Sequence, residues 1–448
     1  MLIESDWPIH ENEFDRIQIP ANLHSNRLDA LQALLERKNF THAVVYADRE
    51  HFANLHYLTN FDPRFEEALL ILSSKHPPLI LVGNECEAYL PISPLNLDSE
   101  VYQPFSLEDQ PRDNSRTLEA IFNSRGIDTT SRIAAIGWKS YGDPQRSDLP
   151  SYLVDTLRQL ASPAAVHNTT HWLTNLRTNV HSYDVAIFER NNVKASEAMR
   201  RIQFALRSGI TDHELLAEAV NYDGAPLSCH MTCKTGPRRV SLASASGVLI
   251  ERGHPWSANV AYWGANICRA NWVASDERDL PAAALDYLPA FVEPYFSAMA
   301  TWLEALRPGA SCAAIYERIH NELPHDTFHV ELNPGHYISY DEWPGSPFTA
   351  NSKVKLDSGM VLQSDVIPSH PTYFSTRLED GYALLDATRW RDFRQTFPNA
   401  ASRIEQRQSF LRNTLGIAID DTLKPLSNTA GILAPWGLSP RMILSRKS

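Results

Sequence analysis

The sequence has few of the features that mark membrane-spanning or secreted proteins. None of its apolar runs approaches the roughly 18 residues that a helix needs to cross a bilayer, so we exclude a membrane-spanning protein. Residues 1–6 contain neither a basic stretch nor an apolar stretch, which predicts that there is no secretory signal. The five cysteines are an odd number scattered over 448 residues, a pattern typical of a reduced, cytoplasmic protein.

Features of nucleotide-binding and nucleic-acid-binding proteins are also scarce. Only 18 glycines are present, and neither G-x-G-x-x-G nor G-x-x-x-x-G-K-[ST] occurs, so no phosphate-binding loop is predicted. The net charge of −12 comes from 53 acidic and 41 basic residues, and no basic block stands out. This balance argues against nucleic acid or an anionic membrane as the partner.

What is present is a globular composition that divides into two parts. At about 150 residues per domain, the length predicts two or three domains. Helical and strand patterns alternate from residue 25 to about residue 162, and residues 68–72 and 79–82 form a predicted hairpin. Alternation of this kind favours an α/β layer with a mixed sheet.

The pattern changes beyond a break near residues 162–174. A long amphipathic segment over residues 184–206 is followed by Gly209 as its predicted C-cap, and Thr211 and Glu214 form the capping box of the next helix. Strands are predicted over 248–272 and 359–385, and between them a helical stretch over 282–306 is interrupted by two prolines, Pro289 and Pro294. This order predicts an α+β domain with two similar halves.

Five short segments carry a resemblance to a known family. They are residues 57–65, residues 176–214, Pro334-Gly335-His336, Ser358-Gly359-Met360-Val361 and Leu378-Glu379-Asp380. In this order and spacing the sequence resembles the creatinase/aminopeptidase P family, whose C-terminal domain has the pita-bread fold. The resemblance implies an α+β, creatinase-like protein with an N-terminal domain over 1–170 and a pita-bread domain over 171–448. It also implies a C-terminal extension from about residue 390, whose role as a lid or a dimer contact stays open.

The resemblance assigns some of the family's metal ligands and not others. Peptidases of this family bind two divalent metals through two Asp, one His and two Glu. His336 falls at the position of the His, Asp365 at the first Glu and Glu379 at the last Glu. The two Asp positions are held by Ser257 and Cys268, neither of which is a hard anionic ligand. We therefore predict no two-metal site, whereas a mononuclear site stays open because three protein ligands suffice for a catalytic zinc.

The predicted function follows creatinase, the metal-free precedent in the family, and ectoine hydrolase, a relative that acts on a small zwitterion. We expect a metal-independent hydrolase without a cofactor that cleaves a C–N bond in a small, polar, carboxylate-bearing molecule. His336, Asp365 and Glu379 are the predicted catalytic residues, because an imidazole beside two carboxyl groups can exchange protons near pH 7. The alternatives are a mononuclear Xaa-Pro peptidase, a lyase and a non-catalytic binding protein.

Four further residues are predicted to bind the substrate. They are Arg64, His230, Glu342 and Trp263. Arg64 lies where relatives reach from one subunit into the partner's pocket, so the resemblance implies a homodimer in which a guanidinium grips a substrate carboxylate. The alternative for Arg64 is a surface ion pair with Asp62 or Glu66.

Overall fold

The structure is a computed structural model that describes residues 1–10, 17–219, 225–236 and 242–447. It divides into two compact units. The N-terminal unit is Gln18–Arg177, and the C-terminal unit is Met1–Ile17 together with Thr178–Ser448. Among the described residues, no helix is long and apolar enough to cross a membrane.

The helices and strands are numbered in chain order. The helices are α1 (Ala21–Arg37), α2 (Ala53–Thr59), α3 (Leu118–Ser124), α4 (Ser151–Ala161), α5 (Thr170–Arg177), α6 (Ser182–Ala205), α7 (Asp212–Leu216), α8 (Glu293–Ala305), α9 (Cys312–Glu322), α10 (His325–Phe328), α11 (Ala387–Thr396) and α12 (Pro398–Asn413). The strands are β1 (Leu2–Glu4), β2 (His42–Ala47), β3 (Ala68–Ser73), β4 (Leu79–Val82), β5 (Asp98–Val101), β6 (Ile133–Ile136), β7 (Val166–Asn168), β8 (Thr232–Thr235), β9 (Pro255–Tyr262), β10 (Ala265–Trp272), β11 (His336–Tyr337), β12 (Val361–Gln363), β13 (Arg377–Glu379), β14 (Gly381–Leu384), β15 (Leu423–Pro425) and β16 (Met442–Leu444).

The N-terminal unit is built on a mixed six-stranded sheet. Its strand order is β5-β4-β3-β2-β6-β7, with β3 antiparallel to both β2 and β4 and with parallel pairing at β2–β6, β6–β7 and β4–β5. The central strands are buried along their whole length, as strands covered on both faces are. The predicted mixed sheet and the predicted hairpin of β3 and β4 are therefore confirmed.

The C-terminal unit contains two four-stranded sheets that meet at one residue. The first has the order β13-β10-β9-β8 and the second has the order β11-β12-β14-β15. Strand β13 ends at Glu379 and β14 begins at Gly381, so the chain passes from one sheet to the other through Asp380 alone. Asp380 is fully buried and accepts hydrogen bonds from Arg269 Nη2 at 2.8 Å and from Thr429 Oγ1 at 2.8 Å. These bonds fix the point at which Glu379 leaves the first sheet.

The hairpin of β9 and β10 sets the register of the first sheet. Its turn is Trp263-Gly264, and Gly264 has a φ of +73° with no space for a Cβ beside the ring of Phe188. Asn259 then lies opposite Cys268, and Cys268 in turn lies opposite Glu379 on β13. Because side chains alternate between the faces of a strand, Asn266 shares a face with Cys268.

The C-terminal extension is an integral part of the fold. Strand β15 extends the second sheet beside β14, and β16 pairs with β1 at the start of the chain, which places residues 1–17 in this unit. In the same unit, helix α12 buries Arg407, whose Nη1 lies 2.8 Å from Glu189 Oε1 with side chains 1% and 0% exposed. The extension therefore packs into the core instead of lying outside it as a lid.

Some local expectations need correction. Helix α6 ends at Ala205 with Leu206 as its C-cap, so Gly209 is not the cap; its φ of +91° shapes the turn that leads to α7. The capping box of Thr211 and Glu214 is confirmed. The stretch over 282–306 is divided as expected into a short 3₁₀ turn, a π-helical turn and α8, and Pro289 and Pro294 stand in the first turns of the last two, where a missing N–H costs nothing.

Arg407→Ala tests whether the extension belongs to the core. The substitution leaves the buried Glu189 without one of its two guanidinium partners, and loss of one partner of a buried pair costs about 3–5 kcal/mol of unfolding free energy. Urea unfolding followed by tryptophan fluorescence measures the change. Arg394→Ala, which breaks an exposed pair with Glu405, serves as the control and should cost at most about 1 kcal/mol. Equal, small effects of the two variants would contradict an integral extension.

Candidate functional site

The three predicted catalytic residues come together where the two sheets meet. His336 is the first residue of β11, Glu379 is the last residue of β13, and Asp365 follows β12 by two residues. Ligand atoms of the three side chains lie within 4.8 Å of one another, and the residues are 0%, 5% and 6% exposed for His336, Glu379 and Asp365. The three residues chosen from the family resemblance therefore lie in one cluster, and their catalytic role stays a prediction.

The imidazole of His336 is held in one orientation. Gly335 before it has a φ of +101° and lies against the carbonyl of Gln363, where a Cβ has no space. The ring stacks on Trp343 at 4.1 Å, and its Nδ1 lies 2.8 Å from the carbonyl oxygen of Tyr337. A carbonyl only accepts, so Nδ1 carries the proton and Nε2 presents a lone pair to the cluster.

Two buried atoms of the cluster lack a hydrogen-bond partner. Nε2 of His336 and Oδ1 of Asp365 have none among the described residues. Nε2 lies 3.8 Å from Oδ2 of Asp365, which is too long for a hydrogen bond. Buried polar atoms are rarely left unpaired, because each costs free energy. The pair therefore indicates a site that is completed by a proton, a water, a metal ion or a substrate.

Burial shifts the protonation of all three side chains. It lowers the pKa of His336 to about 4, opposed only in part by nearby backbone carbonyls, so this imidazole is neutral at pH 7. It raises the pKa of Asp365 to about 7, with Arg377 acting in the opposite direction and Glu342 adding to the rise. It also raises the pKa of Glu379 well above its usual range, and repulsion by Asp365 adds to that rise. The cluster thus holds acidic groups that favour a proton or another cation.

Two amide side chains that the sequence analysis did not identify support Glu379. Asn266 Nδ2 donates to Glu379 Oε1 at 2.9 Å and to Glu342 Oε1 at 2.6 Å, and Gln363 Nε2 lies 3.5 Å from Glu379 Oε1. Asn266 stands two residues before Cys268, and Gln363 stands two residues before Asp365. The spacing places Asn266 on the same face of its strand as Cys268, but its contact with Glu379 depends on strand pairing that the spacing does not reveal.

Ser257 and Cys268 stand at the two positions that the family resemblance aligned with paired aspartates. Cys268 is 4% exposed, and its Sγ accepts from Arg377 Nη1 at 3.6 Å. Ser257 lines a cavity of about 300 Å³ together with Arg377, whose guanidinium also contacts Cys268. Neither the Ser257 nor the Cys268 side chain is a carboxylate, and the absence of a two-metal site stays a prediction.

The predicted substrate-binding residues lie in different places. Glu342 joins the cluster through Asn266. Trp263 stands in the turn of the β9–β10 hairpin, where its ring meets Tyr340 edge to face at 5.9 Å. His230 is exposed and its Nε2 lies 3.0 Å from the carbonyl oxygen of Leu242. Substrate binding by these residues stays a prediction.

Arg64 belongs to the N-terminal unit. Its Nη1 lies 3.7 Å from Asp62 Oδ1, and its guanidinium lies 5.8 Å from the centre of the Tyr89 ring. Its side chain is 55% exposed, so the expected ion pair with Asp62 is present and leaves the guanidinium accessible. A role in a partner's pocket, and the homodimer itself, stay predictions.

Comparison with known proteins gives structural matches only. No protein-family model matches the sequence, and no curated protein sequence matches it. The prolidase from Thermococcus sibiricus has a TM-score of 0.65 at 17% identity, over 81% of this chain and 95% of that chain. The Xaa-Pro dipeptidase from Bacillus anthracis has a TM-score of 0.63 at 12% identity, over 82% and 96%. The X-Pro aminopeptidase from Thermotoga maritima MSB8 has a TM-score of 0.59 at 16% identity, over 80% and 95%.

These similarities establish the fold. The protein has the α+β, two-domain fold of the prolidases and X-Pro aminopeptidases, and the predicted fold class is confirmed. About a fifth of this chain has no counterpart in the matched structures, whereas nearly all of each matched chain is covered. At 12–17% identity the match carries no assignment of activity.

Asp365→Asn should stabilise the metal-free protein more at pH 8 than at pH 5. The pKa of Asp365 is raised from 3.8 to about 7 in the folded state, so the unfolded chain ionises first and stability falls as the pH rises from about 4 to about 7. An amide has no charge to bury, so the advantage of the variant should grow over this window, by up to a few kcal/mol, and then level off.

Urea unfolding of chelator-treated protein at pH 5 and pH 8 measures this difference. Asp392→Asn replaces an exposed aspartate and should have the same small effect at both pH values. If Asp365→Asn also has the same effect at both, the carboxyl group is not held protonated by burial.

Proposed function

We propose that the protein is a hydrolase that cleaves a C–N bond in a small, polar, carboxylate-bearing molecule, with one divalent metal ion held by His336, Asp365 and Glu379. The bond class comes from the names of the structural neighbours, which are prolidases and Xaa-Pro dipeptidases. The metal-independent mechanism predicted from the sequence becomes the second candidate. We prefer the metal-dependent candidate because two possible ligand atoms, Nε2 of His336 and Oδ1 of Asp365, are buried without a hydrogen-bond partner among the described residues.

The three side chains fit one ion in number, type and spacing. Imidazole and carboxylate groups are ligands of zinc, and catalytic zinc sites commonly have three protein ligands. Ligand atoms about 2.1 Å from a common ion lie no more than about 4.2 Å apart, and Nε2 of His336 lies 3.8 Å from Oδ2 of Asp365. Nδ1 of His336 donates to a backbone carbonyl, which is how ligating histidines are oriented. A second ion does not fit, because Ser257 and Cys268 replace its aspartates.

A bound divalent ion would polarise a carbonyl oxygen and lower the pKa of a bound water. The chain supplies the remaining functions. Asn266 and Gln363 hold Glu379 in place through their amide groups. Glu342, hydrogen-bonded to the same Asn266, is the half-buried acid that remains to carry a proton to the leaving nitrogen. Arg377 lines the cavity beside this cluster, where its guanidinium suits a substrate carboxylate.

The second candidate uses the same residues without a metal. Asp365, whose pKa of about 7 makes it both a proton donor and a proton acceptor near neutral pH, would share a proton with Glu379. The neutral His336 would then accept a hydrogen bond at Nε2 instead of shuttling a proton as the sequence analysis expected. The raised pKa of Asp365 is the observation that favours this candidate.

Metal content and chelation separate the two candidates. We expect wild-type protein to hold about one more zinc-class ion per chain than His336→Asn, measured by elemental analysis after desalting. Hydrolysis of a panel of dipeptides and N-acyl amino acids should stop on chelation and return with zinc or manganese. His213→Asn, which replaces an exposed histidine, is the matched control and should keep both the ion and the activity.

Other results lead to different conclusions. Equal metal content in wild type and His336→Asn, with hydrolysis that survives chelation, would replace the metal site by the shared-proton mechanism. Absence of hydrolysis across the panel, both before and after metal addition, would contradict the proposed bond class.

A further inference from the structure

A second group of metal-binding side chains lies outside the catalytic cluster. His325, His329 and Glu331 bring three ligand atoms within 4.8 Å of one another on the C-terminal unit. They come from one short segment of the chain, His325-Asp326-Thr327-Phe328-His329-Val330-Glu331. No residue of this segment takes part in the function proposed above.

The local backbone places the two imidazoles side by side. His325 is the first residue of α10 and His329 is its C-cap, so the two stand one helical turn apart. The N–H of His329 donates to the carbonyl of His325 at 2.8 Å, and the φ of +43° at His329 ends the helix there. The ring centroids are 5.3 Å apart. The helix and its left-handed end therefore present both rings on one side.

Glu331 completes the group from the turn that follows. Its Oε1 lies 3.1 Å from Nε2 of His325, and both side chains are largely exposed. Two imidazoles and one carboxylate match the ligands that zinc and neighbouring first-row ions prefer, and three protein ligands leave a fourth position for water or a ligand. An ion pair would account for the contact between His325 and Glu331, but it would not explain why His329 lies beside them.

The group borders a cavity of the C-terminal unit. His329 and Glu331 line the cavity of about 300 Å³ to which Ser257 and Arg377 also contribute. An ion held by His325, His329 and Glu331 would therefore stand at the wall of this cavity, with its fourth position open to water or to an anionic group of a ligand. We propose that these three residues bind one zinc-class divalent ion at the wall of the cavity.

Metal titration of two variants tests the proposal. Chelator-treated protein is titrated with ZnCl2 by calorimetry and with CoCl2 by visible absorption, which reports four-coordinate cobalt. His329→Asn keeps a residue that tolerates the left-handed conformation, and Glu331→Gln keeps the size of the side chain. Each substitution should weaken zinc binding at one site by about 100-fold or more, because even the residues that only hydrogen-bond to metal ligands contribute 10- to 100-fold to metal affinity. His213→Asn is the control and should bind as wild type does.

The design also separates this site from the catalytic one. His336→Asn should leave the cavity-wall event unchanged, and His329→Asn should leave the event at the catalytic cluster unchanged, so failure of one assignment does not affect the other. Circular dichroism and the urea midpoint of each variant confirm that the fold is intact. Identical zinc titrations and cobalt spectra for wild type, His329→Asn and Glu331→Gln would overturn the proposal.

Discussion

The buried ion pair between Arg269 and Asp380 is the interaction on which the candidate site depends. Asp380 is the single residue between two sheets, and its carboxylate accepts from Arg269, Thr429 and Ser427. Arg269 also donates to the backbone carbonyl of Glu379 at 2.9 Å, so the same guanidinium fixes both the junction and the residue beside it. Removal of either partner would leave a charge buried without compensation. The position of Glu379, and with it the geometry of the cluster, follows from this pair.

The second determinant of the site is its charge. Three acidic side chains, Asp365, Glu379 and Glu342, lie at the cluster, and Arg377 opposes the rise in the pKa values of Asp365 and Glu379. Two aspartates at the positions of Ser257 and Cys268 would add two more negative charges to offset a second ion. Here neutral groups stand at those positions and Asn266 adds only hydrogen-bond donors. This balance supports the proposal of one added cation or one shared proton.

Much of this arrangement could be predicted from local patterns. The β3–β4 hairpin and the capping box at Thr211 depend on residues close in the chain, and both are confirmed. His336, Asp365 and Glu379 were grouped by aligning the sequence with the motifs of the family it resembles. Such motifs indicate which distant residues lie together, whereas periodicity describes only neighbouring residues. The roles of Asn266 and Gln363 required the pairing of β10 with β13 and of β11 with β12. The extension joins the fold through the pairing of β15 with β14, about 40 residues apart in the chain. The start of the chain joins it through the pairing of β1 with β16, over 400 residues apart. No local pattern reveals either contact.

We propose that the cluster of His336, Asp365 and Glu379 binds one divalent ion and not two. Anomalous diffraction from crystals grown with zinc tests it most directly. The account predicts one peak at the cluster, bonded to Nε2 of His336 and to carboxylate oxygens of Asp365 and Glu379, with no peak between Ser257 and Cys268. Two peaks bridged by these residues, or a cluster without a peak in which Nε2 of His336 bonds to a protein atom, would contradict it.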